Sequence, residues 1–173
     1  MPKMQSQNPG ESEPAARPES VLIRFLASLC LTYLVAFAAI ELSLPGLRGW
    51  YSLAEGPSWQ PPAQWVTPLL LLVFGCAGVA GWLAIRRNRG TATLCLWAAN
   101  VVLLGAWCVL FFARQAFVPA LAESAVLFVS AAAALVWYFL VSKPAGLLQC
   151  LVLLWDLWAA ATSLAAWRAS QGR

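Results

Sequence analysis

Five long apolar runs, separated by short polar breaks, organise this chain. Each lies near the ~20 residues that an α-helix needs to cross a hydrocarbon layer. They cover about residues 21–44, 65–85, 92–113, 118–141 and 146–168. The breaks after the second, third and fourth runs are brief: Arg86 to Gly90, Arg114 to Phe117, and Ser142 to Ala145. Such short connectors force neighbouring helices to run antiparallel. The pattern predicts an all-α membrane protein, a five-transmembrane-helix bundle filling residues 21–168. Residues 1–20 are polar, Pro-containing and of mixed charge, and read as a disordered tail. They do not read as a signal peptide, because the apolar run behind them is too long and no cleavage pattern closes it. Residues 169–173 form a short C-terminal tail, and no internal repeat is evident.

The first break does not follow the polar pattern of the others. From Trp50 to Pro62 it carries two Trp, one Tyr and three Pro. Proline fixes φ and removes a backbone donor, so this connector is expected to be stiff. Aromatic rings add large apolar faces with a polar handle. A stiff Trp/Pro-rich first loop at a membrane surface suits a lid or a binding wall. The plainer alternative is an interfacial aromatic belt, which many membrane proteins carry.

Composition narrows the function classes. The chain has 173 residues, 61% hydrophobic and 10% charged, far more apolar than a soluble domain. Its net charge of +4 lies in loops and tails and fits a membrane surface, not nucleic acid. With five spans, the N-terminal side holds Lys3, Arg17, Arg24, Arg86, Arg87, Arg89 and Lys143. The other side holds only Arg48, Arg114, Arg168 and Arg173. By the positive-inside rule the N-terminus is expected in the cytoplasm, in a bacterial cell membrane. There is no His, which removes imidazole metal sites and His-based acid–base catalysis. The five Cys show no CxxC spacing, so no metal site is predicted, and they are expected to be small buried apolar residues.

A few residues stand out within the spans. Asp156 lies near the middle of the fifth, where a charged side chain is costly and has to face the bundle interior. It reads either as a ligand- or proton-linked acid or as a helix-locking polar group. Glu123, early in the fourth span, reads as a helix-start carboxylate. Asn100 is placed to hydrogen-bond across helices. Gly75, Gly78 and Gly81 put a small-residue face on the second span, for close packing or dimer contact. Among the ten Trp, Trp82, Trp97, Trp137 and Trp167 fall near span ends and read as belt residues. Trp107, Trp155 and Trp158 sit deeper, and Trp155, Trp158 and Ala159 share one helix face. An inward Trp cluster beneath a stiff aromatic loop makes a flat apolar cavity suited to planar ligands, although ordinary helix packing reads the same residues equally well.

These residues together resemble the tryptophan-rich sensory protein, or translocator protein (peripheral benzodiazepine receptor), family, TspO/MBR. The resemblance runs over about residues 21–168 and rests first on the loop: Trp50, Tyr51, Pro57, Trp59, Pro61, Pro62 and then Pro68 stand at the family's spacing. Trp107 followed by Phe111 and Phe112 is similar to its third-span motif, Trp155-x-x-Trp158-Ala159 to its fifth-span motif, and Trp167-Arg168 to its ending. The chain also departs from the family. Leu70 and Val73 stand where the family has Trp and Tyr, and Leu104 where it has Asn, with Asn100 one turn earlier. Leu151 and Val152 replace a Pro-Tyr pair, Ser163 replaces Asn, and Leu164 replaces the Tyr of a sterol-recognition motif.

The resemblance implies a five-helix bundle, often a homodimer, that binds porphyrins or haem-like tetrapyrroles in a pocket capped by the first loop. The implied ligand-binding residues are Trp50, Tyr51, Pro57, Trp59, Pro61, Pro62, Trp107, Phe111, Trp155, Trp158 and Ala159. Asn100, Asp156 and Ser163 are candidate polar contacts. No catalytic residue, metal or covalently bound cofactor is expected; the tetrapyrrole, or another planar hydrophobic molecule, is a ligand. The implied role is a sensor, receptor or transporter among membrane lipids. Light-dependent porphyrin breakdown and lipid or sterol binding are the alternatives. Without His, tetrapyrrole binding would rest on stacking and shape, not on an axial ligand.

Overall fold

A computed structural model describes residues 18–54 and 57–171, so most of the predicted N-terminal tail lies outside the described residues. Five helices are present: α1 (Pro18–Gly46), α2 (Ala63–Arg87), α3 (Thr91–Cys108), α4 (Phe117–Val141) and α5 (Lys143–Gln171). No strand occurs among the described residues. All five are long and apolar enough to cross a membrane. Leu22, Leu34, Leu72, Val102, Val129 and Leu154, spread over all five, turn their side chains outward. That arrangement suits a hydrocarbon surround and would be unstable in water. Helix α1 begins at Pro18 and α5 ends at Gln171, so both helices reach into the stretches read as tails.

Helix α1 also runs further into the first connector than the sequence suggests. Beyond Pro45 the chain widens into a π-helical turn, Leu47–Tyr51. Trp50 and Tyr51 therefore belong to a helix end and not to a free loop. The turn is kinked at Gly49, whose backbone is non-helical (φ −85°, ψ −106°). A second π-helical turn, Val109–Ala113, extends α3 and carries Phe111 and Phe112. The two turns meet at Gly46, where a Cβ would overlap the Phe112 carbonyl oxygen.

Small residues and polar side chains join the helices. Gly75 and Gly78 lie against Tyr33 and Thr32 of α1, and Gly81 lies under the Trp97 ring of α3. Ser28 donates to the Gly78 carbonyl at 3.3 Å, and Ser43 to the Cys108 carbonyl at 3.0 Å. The Trp137 indole donates to Thr93 Oγ1 at 2.9 Å, joining α4 to α3. Asn100 donates to Ser130 Oγ at 3.0 Å and accepts from Gln149 Nε2 at 3.3 Å, joining α3, α4 and α5. In an apolar surround, interhelical hydrogen bonds and close packing replace the hydrophobic drive that water would supply.

Two readings of the sequence need correction. Trp97 is buried beside Gly81 and is not a belt residue; the glycine makes room that a larger residue would fill. Only Cys76 and Cys108 are buried, while Cys30 and Cys95 face outward and Cys150 is half-buried. An outward thiol is tolerated because hydrocarbon is as apolar as the interior.

Candidate functional site

The lid end of the bundle gathers the residues on both sides of the first connector, the turn after α3, and the end of α5. A cavity of about 370 Å³ lies there. Trp50, Leu53, Ala54, Pro57 and Gln60 form its outer wall. Phe111, Gln115 and Phe117 form a second wall, and Ala165, Ala166, Ala169 and Ser170 of α5 a third. The volume is near the lower end of the ~300–1,000 Å³ usual for small-molecule sites.

Local bonds hold the wall in place. The Trp50 indole donates to the Phe112 carbonyl at 2.9 Å. Its ring meets Phe111 at 5.5 Å and Phe117 at 5.4 Å, both edge-on. The Tyr51 hydroxyl donates to the Pro61 carbonyl at 3.1 Å, tying the two ends of the connector together. Pro62 then leads into α2 with extended backbone (ψ 148°), and the Trp65 N–H bonds the Pro62 carbonyl at 2.9 Å. Gln115 takes φ 49°, a left-handed conformation unusual for a residue other than glycine, in the tight turn into α4.

Beneath the cavity the aromatic contacts continue inward. Phe111 stacks on Trp107 at 5.1 Å with ring planes 12° apart. Trp107 meets Trp155 at 6.3 Å and Trp158 at 6.1 Å, and these two lie 4.6 Å from each other. Trp107 is fully buried; its indole donates to Ser163 Oγ at 3.0 Å, and Ser163 donates to the Ala159 carbonyl at 2.8 Å. Aromatic pairs of this kind add about 0.5–1.5 kcal/mol each beyond their buried area.

The structure distributes the sequence-nominated residues unevenly. Trp50, Pro57 and Phe111 line the cavity. Tyr51 is packed behind the wall, and the Pro61 carbonyl holds its hydroxyl. Trp59 and Pro62 point outward, Trp59 with 49% of its surface exposed, so neither forms the cavity wall. Trp107, Trp155, Trp158 and Ala159 form the packed layer below. Ser163 serves Trp107, and Asn100 serves the α3–α4–α5 junction, away from the cavity. Asp156 is fully buried, and neither of its carboxyl oxygens has a hydrogen-bond partner. Glu123 on α4 is a second carboxyl of this half, with both oxygens likewise unpartnered. Among the described residues no group of three His, Cys, Asp or Glu could hold a metal ion, and neither Cys108 nor Cys150 lines the cavity.

Sequence reasoning missed Gln60, Gln115, Phe117 and the alanine face of α5. Ala165, Ala166 and Ala169 fall on adjoining positions of one helix side, but that signal has no chemical mark. Four positions that depart from the family pattern, Leu70, Val73, Leu104 and Val152, lie in the same buried cluster as Trp107 and Trp155. Apolar side chains thus fill the deep space, and the open volume is left beside the lid.

Comparisons with known proteins agree along most of the chain. The model of the TspO/MBR family matches residues 25–168. Protein CrtK of Rhodobacter capsulatus is 26% identical over 155 residues, spanning 87% of this chain and 92% of the relative. The translocator protein of Sus scrofa is 31% identical over 130 residues, 72% of this chain and 76% of the relative. Tryptophan-rich protein TspO of Chlorobaculum tepidum is 28% identical over 134 residues, 73% of this chain and 82% of the relative.

Proposed function

The chain belongs to the TspO/MBR family of membrane proteins, and from that premise we propose that its lid cavity binds a planar hydrophobic ligand of the tetrapyrrole class, as a sensor or transporter. The observation that carries this reading is the unbroken aromatic path from Trp50 through Phe111 and Trp107 to Trp155 and Trp158. A flat ligand entering the cavity meets Trp50 and Phe111 first. Gln60, Gln115 and Ser170 stand at the wall to take polar substituents. A macrocycle needs more room than about 370 Å³, so the connector swings outward or Phe111 parts from Trp107 on binding. The Tyr51–Pro61 bond is the latch that such opening releases.

The proposal places the protein in a bacterial cell membrane with its N-terminus in the cytoplasm, following the excess of Arg and Lys on that side. The lid cavity then faces away from the cytoplasm. Helices α1 and α3 already occupy the glycine face of α2, so a homodimer uses another face.

Titration of the detergent-solubilised protein with a porphyrin, read by quenching of tryptophan emission, tests the site. A Trp50→Ala, Phe111→Ala double variant is expected to bind at least about tenfold more weakly, from two lost ring contacts. Unchanged affinity in that variant, with the fold intact by circular dichroism, removes the cavity from consideration.

A further inference from the structure

The bundle has a second cavity at its other end, between α1, α2 and α3. Its volume is about 290 Å³. Three arginines, Arg24, Arg86 and Arg89, line it together with Trp82 and Trp97, and among the described residues no carboxylate lines it. The remaining walls are almost wholly apolar. We propose that this cavity is a binding site for an anionic phospholipid of the surrounding bilayer, with the phosphate on the arginines and an acyl chain along the apolar wall.

Four features support that occupant. First, the position is right. The arginines stand where α1 begins, where α2 ends and where the connector to α3 runs, which is the level of a lipid headgroup. Basic pockets between transmembrane helices at this level recruit anionic headgroups.

Second, one guanidinium is already oriented. The Arg86 guanidinium lies 5.0 Å from the centre of the Trp82 ring, and Trp82 is braced edge-on by Phe25 at 4.8 Å. A guanidinium held over an aromatic face keeps its edge N–H groups free, and that edge matches a phosphate.

Third, the Trp97 ring lines the cavity beside Trp82, so an aromatic wall adjoins the arginines where a headgroup passes into an acyl chain. Fourth, the cavity reaches the outer surface beside Leu31 and Leu94, which are 50% and 49% exposed. A lipid chain can enter sideways past them. A macrocycle with its charges at one edge fits poorly in a space of this volume, at the bottom of the usual range.

The test uses the full chain in phosphatidylcholine nanodiscs, with brominated-chain phosphatidylglycerol added in steps and tryptophan emission recorded. Anionic lipid is expected to quench at a lower mole fraction than brominated phosphatidylcholine does. An Arg86→Gln, Arg89→Gln variant is expected to lose this preference by about fivefold for each guanidinium. Trp97→Phe, which keeps an aromatic wall and removes an N–H that does not face the cavity, is expected to keep the preference. Arg48→Gln, Arg114→Gln at the lid end serves as the control for general surface charge and is expected to keep the preference. Glycerol phosphate, the headgroup without chains, is expected not to compete. Equal quenching by the two lipids, or equal loss in the lid-end control, overturns the proposal. Competition by glycerol phosphate reassigns the site to a free phosphate ester and overturns the lipid assignment. Porphyrin affinity at the lid cavity, measured on the same variants, is expected to stay unchanged, so each site stands or falls alone.

Discussion

The two ends of this bundle use tryptophan in opposite ways. At the lid end, the Trp50 and Trp107 indoles each donate to a defined acceptor, and their rings pack into a continuous aromatic layer. At the arginine end, Trp82 and Trp97 line an open cavity, and the Trp97 N–H has no acceptor. The lid end therefore has to open to admit a ligand as large as a macrocycle. At the arginine end three arginines and two tryptophans already border an open, mostly apolar space. Neither Trp content nor the partner of each N–H separates the two cases, since the buried Trp155 N–H in the aromatic layer also lacks one. What separates them is ring-on-ring packing at one end and a cavity beside the rings at the other.

Removing a ring from each end is the harshest test of this contrast. Trp107→Ala deletes a fully buried ring and is expected to cost about 3–5 kcal/mol. Trp97→Ala merely enlarges an existing cavity and removes an unpartnered donor, so about half that loss is expected. Chaotrope unfolding in mixed detergent measures both. Equal losses would mean that the arginine end is as tightly packed as the lid end.

A methyl group added at each end probes packing more gently. On Gly46 the new Cβ meets the Phe112 backbone carbonyl, which cannot rotate away. On Gly81 it meets the Trp97 ring, which can tilt into the neighbouring cavity. Gly46→Ala is expected to cost about 1–3 kcal/mol, and Gly81→Ala less. Gly46→Ala should also disturb the Trp50–Phe112 bond and weaken porphyrin binding, while Gly81→Ala leaves it alone. Thermal melting with and without porphyrin separates these outcomes.

The five helices and the family were legible in the sequence because each apolar run has membrane length and the Trp, Tyr and Pro spacing of the first connector is distinctive. The limits lie at particular residues. Pro45 and Gly49 look like helix breakers, so Trp50 and Tyr51 read as loop; the helix runs through Pro45, kinks at Gly49 and still carries Trp50 and Tyr51 in a helical turn beyond the kink. Trp97 looks like a belt residue until Gly81, distant in sequence, is seen beneath it. The α5 wall of the lid cavity is mostly alanine, which carries no chemical signal. The arginine cavity is assembled from α1, α2 and the connector to α3, and no local pattern joins Arg24 to Arg86 and Arg89.

Trp155, Glu123 and Asp156 in the lid half also carry unpartnered buried polar atoms, and Asp156 gives the smallest but most discriminating prediction. Asp156 follows Trp155 on α5, is fully buried, and has no hydrogen-bond partner; Glu123 on α4 supplies none. A buried polar group without a partner costs about 1–3 kcal/mol, and a similarly shaped apolar residue avoids that cost. Asp156→Leu is therefore expected to stabilise the protein, by about 1 kcal/mol after imperfect packing of the longer side chain. Asp156→Asn keeps an unpartnered polar group and is expected to gain little. Unfolding midpoints of both variants, measured in detergent, check the order. Destabilisation by Asp156→Leu together with weaker porphyrin binding would show that the carboxyl serves the ligand. In that case the closed half of the bundle also holds a donor-hungry polar site, and the contrast between its two ends narrows to their charge.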